Sequence, residues 1–399
     1  MSLQKTPSAD RLHIGIFGKV NSGKSSFINA FTGQNTSIVS EVAGTTTDLV
    51  TKAMEIPSIG PCVLIDTAGF DDTTNLGEAR KERTLFAAEK TDIAILMFRD
   101  NGSLDFSEEI EWYTYFKGKK IPTVLVLNQE TEEETSFEKA IAEQMGEKTI
   151  VINAKTGRGI ENLKEVIVRK VPEDFGTNFI TGNLVSDSDV VMLVMPQDQQ
   201  APKGRLILPQ VQTIRELLDK KCIVVCVTPD KMTDAMMQFK NPPKLIVTDS
   251  QVFKEVYEKK PKESMLTSFS VLFAAYKGDL PYYIEGAKTI DSLNANSKVL
   301  IAECCTHAPL SEDIGRVKIP NLLRKRFGQG MQIDMVSGTD FPKDLSVYDL
   351  VIQCGGCMFN RTYIMSRIDR ARKQHVPMTN YGVTIAHLTG ILDKITIEK

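Results

Sequence analysis

Two periodicities alternate along this chain. Uninterrupted apolar runs at 12–17, 62–65, 93–98, 123–127 and 149–152 are separated by longer stretches with helical spacing of apolar residues. Short, fully apolar runs read as strands buried on both faces, so residues 1–172 are predicted to form a mostly parallel sheet wrapped by helices. The alternation resumes after a loop at 172–183, with strands predicted at 190–195, 222–227 and 244–247 and helices near 210–220 and 233–239. This is a small βαβ-type module, assigned to 180–262. A lysine-rich stretch at 257–263 containing Pro261 marks a boundary, beyond which 263–399 carries further strand-like runs at 298–302 and 346–352. The expected fold class is α/β in three domains.

Composition narrows the partners. The chain has 399 residues, 42% hydrophobic and 25% charged, with a net charge of -3. That balance does not prepare a surface for a polyanion, so nucleic acid is not an expected partner. No run approaches the roughly 20 apolar residues of a membrane span, and the polar start lacks a signal-peptide core, so no membrane is expected and the cytoplasm is the expected location. Seven cysteines in such a chain point to reduced thiols, some of them ligands. Cys62, Cys222 and Cys226 fall within apolar runs and are expected in the core. The basic segment 361–373, with Arg367, Arg370, Arg372 and Lys373, is expected to be a solvated helix face.

Gly18-Lys19-Val20-Asn21-Ser22-Gly23-Lys24-Ser25 has the spacing of a phosphate-binding loop and lies between a predicted strand and a predicted helix. Its glycines let the backbone wrap so that N–H groups point at phosphate oxygens; Lys24 supplies charge for the β- and γ-phosphates, and Ser25 can ligate Mg²⁺. Gly18, Asn21, Ser22, Gly23, Lys24, Ser25 and Ser26 are the candidate contacts. Asp66-Thr67-Ala68-Gly69 follows the next strand, placing Asp66 at the magnesium shell and Gly69 at the γ-phosphate. Lys24, Asp66 and Gly69 are therefore the candidate catalytic set. Thr45 and Thr46 lie where a switch segment belongs, with Thr46 a candidate magnesium ligand. The base-reading motif is unusual: Asn128-Gln129-Glu130-Thr131 lacks the aspartate that reads guanine, leaving Glu130 or Glu132 as substitutes. Asn128, Asn153, Ala154 and Lys155 complete the candidate nucleotide contacts.

Near the other end stand Cys305-Thr306-His307 and Cys354-Gly355-Gly356-Cys357. Two cysteines two residues apart can hold one metal, and the glycines between them permit a tight wrap. With Cys305 this gives three thiolates, and the set suits zinc or an iron-sulfur cluster. Cys304 is expected to point away from its neighbour into the core.

The first 170 or so residues resemble the GTPases of the Era and TrmE group, through Gly44-Thr45-Thr46-Thr47 and Asp66-Thr67-Ala68-Gly69. That resemblance implies potassium held by Asn21 and K⁺-stimulated, slow hydrolysis, with Phe70 where Ras-like enzymes carry a glutamine. Together with Met265 to Ser270, Lys277-Gly278-Asp279, Glu303 to His307 and Cys354 to Met358, the whole chain resembles the HydF family of FeFe-hydrogenase maturation scaffold GTPases. The resemblance implies GTP or GDP with Mg²⁺ and K⁺, and a 4Fe-4S cluster on Cys305, Cys354 and Cys357. It further implies a homodimer, a di-iron precursor as cargo, and apo FeFe-hydrogenase and two radical S-adenosylmethionine maturases as partners. The family often carries a histidine before the final Cys-x-x-Cys, where this chain has Gln353. The fourth cluster ligand stays open between His307, Glu303 and an exogenous group. Two other readings stand beside this one: a zinc-containing RNA-modification or ribosome-assembly GTPase, and a GTP-regulated redox protein.

Overall fold

The apolar runs assemble into three separate sheets. The computed structural model describes residues 6–33, 50–67, 69, 77–131, 133–173, 175–196, 206–304 and 314–397. They fall into two compact units, one ending at Phe175 and one beginning at Gly176.

The first unit holds β1 (Leu12–Gly18), α1 (Lys24–Thr32), β2 (Val50–Ile56), β3 (Gly60–Asp66), α2 (Gly77–Glu89), β4 (Ile93–Phe98), α3 (Ser107–Gly118), β5 (Thr123–Asn128), α4 (Ser136–Met145), β6 (Ile150–Ile152) and α5 (Ile160–Lys170). Its sheet runs β2-β3-β1-β4-β5-β6, parallel except for β2. β1 and β4 are buried along their whole length, as a central strand covered on both faces must be. The apolar pattern does not predict β2, because its polar and exposed positions, Thr51, Lys52 and Glu55 among them, suit an edge with little apolar signal.

The second unit holds two four-stranded parallel sheets. The elements run β7 (Val190–Val194), α6 (Leu208–Asp219), β8 (Ile223–Val227), α7 (Met232–Met236), β9 (Leu245–Thr248), α8 (Phe253–Lys259), β10 (Met265–Ser268), α9 (Phe269–Lys277) and α10 (Leu280–Lys288). They continue with β11 (Lys298–Ala302), α11 (Ile319–Phe327), β12 (Gln332–Val336), β13 (Leu350–Gln353), α12 (Arg361–Lys373), β14 (Met378–Asn380) and α13 (Tyr381–Leu388). The strand orders are β10-β9-β7-β8 and β12-β11-β13-β14. β10 lies beyond the boundary expected at 262, yet it pairs in register with β9, Leu266 opposite Ile246, as the last strand of the middle sheet. A single apolar core joins residues of both sheets, Met192 and Ile246 with Leu300, Val351 and Met378. Gly286 lets α10 pack closely on β14 of the third sheet: a Cβ there would stand 2.1 Å from the Met378 carbonyl oxygen.

Two core expectations need correction. Cys62 and Cys222 are buried, but Cys226 is exposed, because β8 is the open edge of its sheet. The basic segment is α12, and its Arg367 is 1% exposed rather than solvated.

Candidate functional sites

In each sheet the first strand in sequence lies between neighbours reached in opposite directions along the sheet: β1 between β3 and β4, β11 between β12 and β13. The crevice at the carboxyl ends of such strands is where open α/β sheets bind ligands. The described members of both sets of sequence-derived candidates fall there.

The phosphate loop leaves β1 and enters α1. Gly18, with φ of 153°, has no room for a side chain, since a Cβ would stand 2.6 Å from the Met97 carbonyl oxygen. Gly23 has φ of 93°, and a Cβ would meet Asn128 Nδ2 at 2.2 Å. Asn21 is left-handed at φ of 62°. Lys24 is buried, and its Nζ donates to the carbonyls of Gly18 and Lys19, both at 2.8 Å, so its charge is already folded back over the loop. Asp66 ends β3. Burial pushes its carboxyl up, against the pull of the Lys24 ammonium and the Thr67 amide. Thr67 hydroxyl donates to the Ile16 carbonyl at 2.5 Å, pinning this turn to β1. Gly69 approaches so closely that a Cβ would lie 2.5 Å from the Val20 backbone nitrogen.

Asn128 ties the loops together. Its Nδ2 donates to the Ser22 carbonyl at 3.4 Å and its Oδ1 accepts from the Ala154 amide at 3.1 Å. Asn153 Oδ1 in turn accepts from the amides of Lys155 and Thr156. The carboxylate of Glu130, a candidate guanine reader, instead pairs with Lys155 Nζ at 2.6 Å in solvent. That ammonium holds the Glu130 carboxyl below its usual range. Thr45, Thr46, Phe70 and Glu132 lie outside the described residues.

The second site gathers at the ends of β11 and β13. Cys354 follows β13, whose end is fixed by its own amide donating to the Ala302 carbonyl at 3.0 Å. The Cys304 amide donates to Cys354 Sγ at 3.0 Å. The Cys304 thiol hydrogen-bonds the same sulfur, which holds the Cys354 thiol below its ordinary range despite burial, with help from the Gly356 amide. Cys304 is correspondingly pushed well up. Cys304 is buried as expected, and its burial places it beside Cys354. Gly356 has φ of 68°, the left-handed turn that brings the chain round to half-buried Cys357. A Cβ at Gly356 would collide with Ile364, while Gly355 faces open space. Cys305 and His307 lie outside the described residues, and among the described residues no three His, Cys, Asp or Glu side chains come close enough to hold a metal.

The nearest alternative ligands are engaged. Glu303 is buried, with Oε2 accepting from Arg316 Nε at 3.2 Å and Oε1 from the Tyr381 hydroxyl at 3.3 Å. Gln353, at the position where a histidine is common in the family, is sealed from solvent and its Nε2 donates to the Tyr283 hydroxyl at 3.3 Å. Buried Lys277 donates to the Phe359 carbonyl at 2.9 Å, bracing the loop after Cys357 from behind. Sequence reasoning missed Arg367 as part of this region; its only signal was the apolar and aromatic residues around it on a basic helix.

Three family models match the chain. The 50S ribosome-binding GTPase model covers residues 13–129. The hydrogen maturase F dimerization domain covers 180–278, and the hydrogen maturase F tetramerization domain covers 281–397. Residues 13–129 thus form a GTPase domain, and the two models behind it are dimerization and tetramerization domains. GTPase Der of Wolinella succinogenes is 36% identical over 194 residues, 46% of this chain and 40% of that protein. The tRNA modification GTPase MnmE of Endomicrobium trichonymphae is 34% identical over 164 residues, 40% of this chain and 35% of that protein. The chain spans less than half the length of these relatives. Among solved structures, Aquifex aeolicus Era bound to GDP·AlF4⁻ is similar at 17% identity and a TM-score of 0.34, covering 61% of this chain and 97% of that one. Among the described residues, no helix is long and apolar enough to cross a membrane.

Proposed function

The chain belongs to the hydrogen maturase F family, and on that premise we propose that it is a GTP-hydrolysing scaffold that carries a 4Fe-4S cluster and a di-iron cargo for FeFe-hydrogenase. The observation that supports this reading is the Cys304 amide bonded to Cys354 Sγ at the switch point of the third sheet, where the Cys-x-x-Cys begins, in a chain whose first sheet holds a phosphate loop at its own.

For the nucleotide, the residues described do the work by position. Lys24 exchanges the carbonyls of Gly18 and Lys19 for the β- and γ-phosphate oxygens. Ser25 and Thr46 would hold a magnesium ion together with Asp66, which would offset charge on the phosphates, and the Gly69 amide would read the γ-phosphate. Asn21, left-handed in its backbone, is the residue that would hold a potassium ion. With Glu130 engaged by Lys155 and no aspartate in the motif, discrimination for guanine rests on Asn128 and the loop at Asn153, Ala154 and Lys155.

For the cluster, the donor set fits a soft metal centre. Two thiols flank a glycine turn, the sulfur of one accepts from the Cys304 amide, and the carboxylate of Glu303 nearby is committed to Arg316 and Tyr381. Cys354 and Cys357 hold the cluster, with Cys305 as third thiolate. When bound, the cluster supplies an iron lacking a cysteine, open to an exchangeable group. Cargo docking there is what the hydrogenase and the radical S-adenosylmethionine maturases would use. Oligomerisation uses the middle sheet: β8 is an open edge, with Ile223 at 54% and neighbouring Leu218 at 56% exposure. We place the division between second and third domains after α9, where the two matched models meet, rather than at 262.

Anaerobic reconstitution with iron and sulfide tests the proposal. Wild type is expected to turn brown with the spectra of a four-iron centre, and Cys305→Ala to remain colourless. A chain that binds zinc tightly and assembles no cluster sinks the scaffold reading.

A further inference from the structure

One arginine of the basic helix α12 faces inward. Arg367 is 1% exposed, with its guanidinium 4.7 Å from the ring centre of Phe341, 4.9 Å from Tyr363 and 5.4 Å from Phe359. Nη2 donates to the Gly338 carbonyl at 2.5 Å and the Tyr363 hydroxyl at 3.3 Å, while Nη1 lies 3.8 Å from Cys304 Sγ. Its Nε–H, also buried, has no acceptor among the described residues. None of these partners is a carboxylate. An arginine does not shed its proton, and a cation removed from water without a counter-ion is strongly unfavourable. Aromatic faces offset part of that cost. Beyond the Tyr363 hydroxyl, the acidic groups next to the guanidinium are the sulfurs of Cys304 and, one hydrogen bond further, Cys354.

We propose that Arg367 is the fixed counter-charge of the thiolate centre, a positioning residue that is not itself a ligand. The proposal rests on the reading of Cys354 and Cys357 as ligands of an iron-sulfur cluster. A four-iron cluster on three thiolates is anionic and becomes more so on taking up an electron. A buried cation one residue from the ligand sphere therefore favours the reduced form and raises the reduction potential. Cys304 is the link, with its thiol toward Arg367 and its amide on Cys354.

The test is a dithionite redox titration, followed by paramagnetic resonance, of the full chain after anaerobic reconstitution. Arg367→Met is expected to lower the equilibrium constant for reduction about tenfold, ~59 mV to the negative for one electron. Arg367→Lys, which keeps the charge, is expected to move it by less than half of that. Arg370→Met, three residues along the helix and bonded to the carbonyls of Phe341 and Pro342, is expected to leave the potential unchanged. A cluster in Arg367→Met at the wild-type potential overturns the proposal, as does an equal shift in Arg367→Lys and Arg367→Met. If Arg367→Met fails to unfold cooperatively on heating, Arg367→Lys decides: a retained potential supports the counter-charge, and a full shift or loss of the cluster overturns it. A wild-type chain that takes up no cluster instead sinks the reading of the site, and the proposal with it.

Discussion

β1 and β11 occupy the same place in their sheets, each the first strand of its sheet and each ending at a crevice between oppositely directed crossovers. The residues at their carboxyl ends differ. After β1 come glycines held at positive φ, a backbone wrap and one lysine, which is chemistry for a hard, multiply charged oxyanion. After β11 and β13 come sulfurs, amides aimed at a sulfur, and a buried guanidinium among aromatic rings. Topology selects the place for a ligand; the residues at the strand ends select which ligand. The first crevice binds through groups that any sequence has, its amides, and so needs glycine to bring them close. On the reading proposed above, the second would bind through side chains, and would need a counter-charge because thiolates there are anions away from water.

The comparison is broken most directly at the thiols. Cys354→Ser is expected to abolish iron retention, measured as iron per chain after reconstitution, with GTP hydrolysis unchanged; a parallel fall in hydrolysis would show the two crevices to be one functional unit. The converse is Lys24→Ala, expected to lower the hydrolysis rate roughly 10²–10³-fold, as loss of one electrostatic donor does, with iron content intact. Gly23→Ala probes the backbone wrap itself. With φ of 93° and Asn128 Nδ2 at 2.2 Å, an added methyl is expected to weaken nucleotide binding by about 1–3 kcal/mol, read by calorimetric titration of GDP.

A smaller effect is expected at the cap of α10. Asp279 accepts from the Tyr282 amide at 3.0 Å and pairs with Arg372. Partial burial disfavours its charge, but the Tyr282 amide and Arg372 outweigh it, so its carboxyl titrates below the usual range. A depressed carboxyl adds stability that is complete above its unfolded value near pH ~4 and is lost as the pH falls through the folded value. Asp279→Ala is expected to cost about 1 kcal/mol at pH 7, with the gap to wild type closing below about pH 4 in urea titrations. Least of all, Glu130→Gln is expected to leave the preference for GTP over ITP unchanged, since the carboxylate is turned to Lys155. A marked drop in that preference would make Glu130 the guanine reader after all.

The strands β1, β4, β5 and β7 were legible in the sequence because burial on both faces leaves few polar positions to confuse the apolar pattern. The edges β6 and β8 kept enough apolar residues to be read as well, but β2, half polar, and β12, with Gln332 and Asp334, were not. At the sites, spacing found the phosphate loop and the Cys-x-x-Cys, since both are local geometries that a short string can specify. Cys304 beside Cys354 and Arg367 behind them are products of strand register and helix packing across 50 and 63 residues, which no local pattern carries. The charge-rich string 361–373 even argued against a buried arginine.

The apolar core that runs from Met192 and Ile246 of the middle sheet to Leu300 and Val351 of the third has a mechanical consequence. The core shared by the two sheets couples them, since apolar side chains of one are packed against those of the other. They are expected to melt together, and hydrogen exchange should find a single cooperative block. A push on the open edge at β8 would then reach the thiols undiminished, as displacement of the whole block, so that a neighbour docked on the middle sheet holds the sulfurs as a handle holds its blade.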